Sequence, residues 1–542
     1  VKAGGTLAPG DAIGMLTING NLVLGAGAIF QVQVAPAVAD RTNVTGTANI
    51  AGSTLSLLPT GGTYTVNTKY TLLFASGGLT GSFASVSVAG AFGAGLRPSI
   101  SFDANDVFLT LAPELITPML MNGTRNELSV AGAIDTTTLS GQSPALFQSV
   151  LNLPAVQLNR ALDALSGEVH ASTVSLLADE SSYARSAILG RLRQASYGGE
   201  MGAMAALRLG GPQAFAADGS ALMTLLPPPL AGEGREGARQ AADGTEGALA
   251  YAGLPVKAPL LAPQASSDIV FWAQGFGAWG RFSGDGNAAG VSRDLAGFIS
   301  GVDTRVGTNG RVGFAAGYTS SQNNTDGRGS ADIETGHVAA YGGWSVGALN
   351  LRGGADLAFH TIATDRTIAF PGFFDRAFSS YDGATGQIFG ELGYGFALAN
   401  LAVEPFAGAA FVSVHTDSGS ERALLAGLNF ASANFDVGYS TLGVRAAALV
   451  PLGNGMVLIP RASLAWQHAF GSTTASDGLA FQAAPNAPFT IAGVPIARDA
   501  ALVEAGLDLA LNPHATIGVS YTGQLAGNVT DNAAKGKFSW KF

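Results

Sequence analysis

The chain has 542 residues, no cysteine and a formal net charge of −10; 47% of its residues are hydrophobic, 12% are charged and 75 are glycine. Without cysteine there are no disulfides and no thiolate metal sites, the acidic balance argues against a nucleic-acid partner, and no run of ~18 apolar residues marks a transmembrane helix. Charge at roughly half the ordinary ~25% fits a β-rich chain whose outside meets lipid, and such a chain must close into a barrel because lipid satisfies no backbone hydrogen bonds.

The length exceeds one ordinary domain. Val1 stands inside a Gly-rich repeat with no secretory signal in view, so the chain reads as a C-terminal part or processed form of a longer product. Over residues 1–113 short β runs recur at intervals of roughly twenty residues: Leu16–Ile18, Leu22–Leu24, Phe30–Val34, Leu55–Leu58 and Tyr70–Phe74. Gly-, Asn- and Thr-bearing turns separate them. That spacing fits rungs of a parallel β-helix, each burying its apolar side on its neighbours; a small β-sandwich is the alternative.

Residues 114–195 read as a mostly helical connecting segment. Over 154–195, Val156, Leu158, Leu162, Leu165, Val169, Val174, Leu177, Ile188 and Leu192 recur at helical spacing, and Pro154 suits a helix start. Residues 196–268 turn low in complexity, with Leu225–Pro229 and a Gly/Ala/Glu-rich stretch over 231–249, as in a flexible linker. Part of this linker is expected to thread the pore of the barrel that follows, with Thr245–Ala252 as a place for a short helix.

From residue 269 to 542, segments of roughly ten to seventeen residues alternate in hydrophobicity. Leu351, Ala355, Leu357 and Phe359 oppose Arg352, Gly354 and Asp356; Ile388, Leu392 and Tyr394 oppose Gln387 and Glu391; Leu401, Val403 and Phe411 oppose Glu404; Leu464 and Trp466 oppose Arg461 and Ser463. A polar face of Gly and Ala with sparse charges suits a narrow wet lumen better than a surface in bulk water. About twelve strands are expected, at roughly 269–282, 292–307, 310–323, 331–346, 349–366, 380–398, 401–417, 434–450, 455–471, 497–512, 514–525 and 532–542. Connections alternate between tight turns (308–310, 347–348, 399–400, 452–454, 512–513) and longer loops (367–379, 418–433, 472–496). In the last strand Phe538, Trp540 and Phe542 share one face, while Lys537, Ser539 and Lys541 share the other. The fold class is therefore all-β: a β-helix segment, a helical linker and a twelve-stranded antiparallel transmembrane barrel.

In order along the chain, Gly4–Gly14, Asn19–Leu22, Leu165–Glu168, Ser181–Tyr183, Phe271–Gly280, Glu404–Phe406 and Phe538–Phe542 resemble the classical monomeric autotransporters of type V secretion. The resemblance implies an outer-membrane translocator that carries its own passenger to the cell surface, with the β-helix rungs nucleating passenger folding. It implies a monomer in outer-membrane lipid, assisted by periplasmic chaperones and the barrel-assembly machinery. Phe538, Trp540 and Phe542 would form the barrel-insertion signal. Glu391, Glu404, Arg445 and Arg461 are candidate lumen contacts to the threaded segment; the bland alternative is that they hydrate and cross-link the wall. A porin-like or adhesin barrel with a fused surface domain is the alternative function.

No catalytic site, cofactor or metal site is expected. The six histidines are scattered. Ser166, Glu168 and His170 stand two apart on a helix and so face different ways. The Gly275-x-Gly277-x-x-Gly280 string lies within a strand, so it is no dinucleotide fingerprint. Some family members cut themselves at paired asparagines in the pore, but Asn323-Asn324 falls outside the linker. Any enzymatic activity would lie in a passenger domain upstream.

Overall fold

A computed structural model describes residues 1–197, 268–398, 401–452 and 455–542. The linker of 196–268 and its short helix at 245–252 fall almost wholly outside the described residues.

Twelve long strands form one closed antiparallel sheet: β1 (Val270–Phe282), β2 (Val291–Val306), β3 (Gly310–Thr325), β4 (Gly329–Val346), β5 (Leu349–Phe370), β6 (Phe373–Tyr394), β7 (Leu401–Thr416), β8 (Ala433–Ala448), β9 (Val457–Phe470), β10 (Asp499–Ala510), β11 (Ala515–Leu525) and β12 (Val529–Lys541). The first strand pairs with the last, from Val270↔Lys541 to Phe282↔Val529, so no edge is left open. Two short pieces, Phe396–Leu398 and Val450–Pro451, prolong the wall at the tight-turn end.

Period two sorts the side chains onto two faces. Along β5, Leu349, Leu351, Leu357 and Phe359 face outward and are exposed, while Asn350, Arg352, Asp356 and His360 are buried inside. This outward apolar run covers about eleven residues, or roughly 25 Å of height at the usual barrel tilt. Exposed aromatics rim it at both ends: Phe271, Trp344, Tyr394 and Trp540 near the tight turns, and Trp279, Tyr318, Phe359 and Trp466 at the other end.

β5 and β6 run well past that band. The segment 367–379, expected as a long loop, is instead a strand extension closed by Pro371 and Gly372 alone, with Phe370↔Phe373 as the last pair. Beyond the band the faces largely invert, although Phe374 and Phe378 stay outward and Arg366 and Asp375 are buried inside. Thr361, Thr367, Arg376 and Asp382 point outward, while Ile362, Ile368, Phe370 and Tyr381 are buried inside. The other two long loops also carry structure. Gly419–Ser420, Leu428–Phe430, Ser476–Phe481 and Phe489–Ala492 form a four-stranded antiparallel sheet over the barrel mouth.

The N-terminal part is a parallel stack. Thr6–Leu7, Ile29–Val34, Thr54–Pro59 and Ser85–Val88 make one sheet. Met15–Ile18, Arg41–Val44 and Lys69–Ala75 start a second, and Leu22–Val23, Ala48–Asn49 and Leu79–Thr80 a third. Phe30, Val32, Leu55, Leu57 and Leu72 fill its interior. Successive turns sit so close that a Cβ on Gly77 would lie 2.8 Å from the carbonyl carbon of Gly46. The second sheet ends in an antiparallel pair, Leu96–Phe102 with Asp106–Pro113.

Four helices follow: α1 (Arg125–Leu139), α2 (Ala145–Leu151), α3 (Ala155–Leu165) and α4 (Glu168–Tyr197). Thr124 and Glu127 form a reciprocal capping box at the start of α1. The single helical stretch expected over 154–195 breaks at Gly167, whose φ of 70° ends α3 and redirects the chain.

Candidate functional site

α4 occupies the barrel lumen. Its side chains reach inward-facing groups on β2, β3, β6 and β12, strands on several sides of the wall. Its N-terminal end lies at the capped mouth and its C-terminal end towards the tight turns. Among the described residues the lumen occupant is the helix at 168–197; the piece of 196–268 expected there lies almost wholly outside the described residues.

Three charge groups fix α4. At the tight-turn end, Arg191 grips Asp303 with two bonds of 2.7 and 2.8 Å; Asp303 also accepts from Arg311 at 2.6 Å and from the Tyr341 hydroxyl at 3.0 Å. Arg193 pairs with Glu391, which also meets Arg352 at 3.0 Å and Arg445 at 2.7 Å. Nearer the mouth, Arg293 holds Asp531 at 2.8 Å and Asp179 at 3.0 Å, and Tyr183 donates to Asp531. Between them Arg185 donates to Gln387 at 2.7 Å, and Lys535 to Ser186 at 2.7 Å.

The wall charges in these three groups are already matched before α4 is counted. Arg311 answers Asp303, Arg293 answers Asp531, and Arg352 and Arg445 answer Glu391 and Glu404. Buried charges must be paired to be tolerated. A wall paired within itself offers a passing chain few strong grips, yet each group admits a further member.

Of the residues singled out from the sequence, Glu391, Glu404 and Arg445 come together in one cluster. Glu391 touches α4 through Arg193, while Glu404 is held by Arg352 at 2.7 Å and by Asn350 at 3.0 Å. Arg461 lies apart, with Glu504 and with Asp508 at 3.3 Å. Phe538 and Trp540 face outward on β12, Phe542 is exposed just beyond it, and Lys537 faces inward to Asp508 at 2.6 Å. Sequence reasoning missed Asp303, Arg311, Arg293 and Asp531, and missed the charges of α4. The signal was there: α4 carries Asp179 and Glu180 in its first half and Arg185, Arg191 and Arg193 in its second.

At the mouth, the loop residue Glu421 accepts two bonds of 2.7 Å from Arg366 and one of 2.9 Å from His170 on α4. Burial pushes its pKa up, but the Arg366 guanidinium outweighs that and holds the carboxyl well below its usual range. Glu168, at the first turn of α4, is pushed up to about 7 by burial, against the pull of Arg328 and the Ala289 amide. His170 is used structurally, stacked 4.4 Å from Phe430. Ser166 donates to the Asp163 carbonyl at 2.8 Å, and Glu168 is taken by Arg328 and Ala289, so the three close residues of this turn share no reacting centre.

A closed antiparallel barrel with an apolar outer band, aromatic rims and a charged, helix-filled lumen is an integral membrane β-barrel. Residues 271–522 match the family model of the autotransporter β-domain, and the barrel of this chain is an autotransporter β-domain, embedded in the outer membrane. An extracellular serine protease of Serratia marcescens is 26% identical over 586 residues, covering 99% of this chain and 50% of that protein. A second extracellular serine protease of the same organism is 26% identical over 516 residues, covering 88% and 43%. The chain thus spans about half the length of the curated relatives it matches. Among solved structures, the β domain of the Bordetella autotransporter Brka shares 19% identity at a TM-score of 0.39, over 51% of this chain and all of that one. The translocator domain of NalP from Neisseria meningitidis shares 13% at 0.42, over 51% and 89%.

Proposed function

We propose that this chain exports its own N-terminal part through the barrel and then keeps α4 in the lumen as the tether. The observation that carries this reading is the path of α4. It leaves the surface cap at Gly167, runs down the lumen and is bound by charges at both ends. Residues 1–166 then lie on the mouth side, where passenger rungs belong. A porin has no use for a covalently attached helix filling its pore.

In this mechanism no nucleotide energy is spent across the outer membrane. Folding of the β-helix outside buries apolar surface and makes return unfavourable. The self-paired wall lets unfolded chain pass, and the oppositely charged halves of α4 set where it comes to rest. Insertion of the barrel is assigned to the barrel-assembly machinery with periplasmic chaperones, and Phe538, Trp540 and Phe542 to the segment it reads. The proposed domain division is 1–113 rungs, 114–195 connecting helices, 196–268 linker and 269–542 barrel. The curated relatives are named as proteases; by analogy, any hydrolytic activity belongs to a passenger and not to the β-domain.

An epitope tag after Gly20 in the full-length protein, probed on intact cells with antibody and external protease, tests the reading. A surface-exposed tag with a heat-modifiable barrel in the outer-membrane fraction is the expected result. A tag hidden until the membrane is broken, with the barrel inserted, would leave a porin-like protein.

A further inference from the structure

With α4 seated, space remains on one side of the lumen. Between α4 and the wall from β7 to β12 lies a cavity of about 170 Å³, bordered by Leu189, Phe406, Tyr439, Ser463 and Lys535. Towards the tight turns it narrows into a recess shared by Ser186 and Arg193 of α4, Arg461 and Ser463 of β9, Glu504 of β10 and Lys535 of β12. A space of that size holds several waters, each taking roughly 30 Å³, or a small ion with part of its shell.

The charges round the recess do not balance. Five cations, Arg193, Arg445, Arg461, Lys535 and Lys537, meet three carboxylates, Glu391, Glu504 and Asp508. The carboxylates are all taken. Glu391 is held by Arg193, by Arg445 at 2.7 Å and by Arg352 at 3.0 Å. Arg461 lies between Glu504 and Asp508, over Gly506, where a Cβ would stand 3.0 Å from the Arg461 Cζ. Lys537 holds Asp508 at 2.6 Å, beside Gly518, where a Cβ would stand 2.7 Å from the Lys537 Cε. Lys535 is left. Its Nζ donates to the Ser186 hydroxyl at 2.7 Å, and among the described residues it forms no ion pair. Ser186 accepts that bond, so its own hydroxyl hydrogen remains a donor, and Ser463 faces the same space. A cation drawn away from bulk water costs free energy until an opposite charge reaches it.

We propose that this recess binds one small oxyanion of the phosphate class, between Lys535 of β12 and Arg193 and Ser186 of α4. Ammonium and guanidinium groups give such an anion charge-assisted hydrogen bonds, stronger than those between neutral groups. Arg191 and Arg193 tie the C-terminal half of α4 to Asp303 of β2 and Glu391 of β6. The anion adds β12 to these strands, on the side of the lumen that the cavity leaves open. The site depends on α4 being seated and not on how it arrived, so it stands apart from the export reading.

The test uses the full chain in an uncharged detergent at neutral pH and fixed ionic strength, with inorganic phosphate as the probe against chloride. Isothermal titration should show a single phosphate bound per chain. The unfolding midpoint of the barrel should rise by a few degrees as phosphate replaces chloride, because a ligand of the folded state stabilises it. Lys535→Met should weaken phosphate binding by at least about tenfold and abolish that rise. In chloride it should unfold no earlier than the parent, because it removes a charge that nothing answers. A lysine with only a structural role would do the reverse: Lys535→Met would melt earlier in both salts and keep the rise. Lys541→Gln, which removes a cation facing Asp268 outside the recess, should respond to phosphate as the parent does. No binding heat in the unaltered protein, an equal rise on adding chloride alone, or a phosphate response kept in Lys535→Met would each overturn the inference. Should Lys535→Met fail to form the barrel, Ser186→Ala replaces it, expected to bind phosphate several-fold more weakly; unweakened binding there would count against the site.

Discussion

β5 and β6 each live in two solvents. In their tight-turn halves Leu351, Leu357 and Ile388 look outward while Arg352, Asp356 and Glu391 look inward. In their mouth halves Thr361, Arg376 and Asp382 look outward while Ile362, Ile368 and Phe370 look inward. The pairing register runs without a break from Leu349↔Tyr394 to Phe370↔Phe373, so the backbone does not mark the change. What changes is the medium. Lipid outside requires an apolar face there and leaves the polar face for the lumen. Above the lipid, water reverses the assignment, and the interior becomes an ordinary core that receives the cap.

If that contrast is right, the largest penalty follows from breaking the buried charge cluster. Arg352→Leu leaves Glu391 and Glu404 buried with fewer partners and should cost about 3–5 kcal/mol, read as a fall in the unfolding temperature of the barrel in detergent. Next, the paired strands β5 and β6 should answer oppositely in their two halves. Leu357→Arg on the lipid face should cost about 2–4 kcal/mol, whereas Asp382→Arg on the outer face above the lipid should stay within about 0.5 kcal/mol. Ile362→Ala, inside the upper half, should cost about 2–5 kcal/mol as a core cavity. Equal penalties for Leu357→Arg and Asp382→Arg would place both in one medium and break the comparison.

A smaller effect is expected for Arg191→Ala. Asp303 keeps Arg311 and Tyr341, so the loss should be about 1–3 kcal/mol, less than for Arg352→Leu, and should show in faster release of α4 more than in barrel unfolding. The smallest is a pH effect on the cap. Glu168 is raised from 4.5 to about 7, so its contribution is full below its ordinary value and is lost as pH rises through about 7. Glu421 is lowered, so its contribution is present above the usual carboxylate range and is lost as pH falls towards its folded value. Cap stability should therefore peak near pH 4.5 and fall as pH rises towards 7. Glu168→Gln should lift the cap melting temperature at pH 8 by a few degrees and flatten the alkaline side; an unchanged profile would mean that Arg328 already neutralises Glu168.

The lipid-facing halves were legible in the sequence because period two is strict there and the inner residues are small: Leu351, Arg352, Leu357 and Asp356 could be sorted without coordinates. The mouth halves were not. Ile368, Phe370 and Arg376 still alternate, but with the sign reversed and a Pro-Gly turn between them, and a reversed alternation reads as a loop. Phe481, Phe489 and Ile491 went unread for the same reason, since short strands gain their order only from the cap they touch. In the lumen, Glu391, Glu404 and Arg445 stood out as lone charges among glycines. Their partner Arg193 did not, because a reading of α4 by its apolar positions passes over its arginines. Residue spacing cannot tell that α4 enters the pore; the charge halves of α4 could have.

Because the chain has no cysteine, single cysteines report sidedness without background. The decisive measurement is labelling of Gly20→Cys and Asn309→Cys in intact cells with a membrane-impermeant maleimide, repeated after the outer membrane is opened. Self-export requires Gly20→Cys to label at once and Asn309→Cys, in the tight turn between β2 and β3, to label only after opening. Gly20→Cys protected until the membrane is opened, in cells whose barrel is properly inserted, would contradict the account.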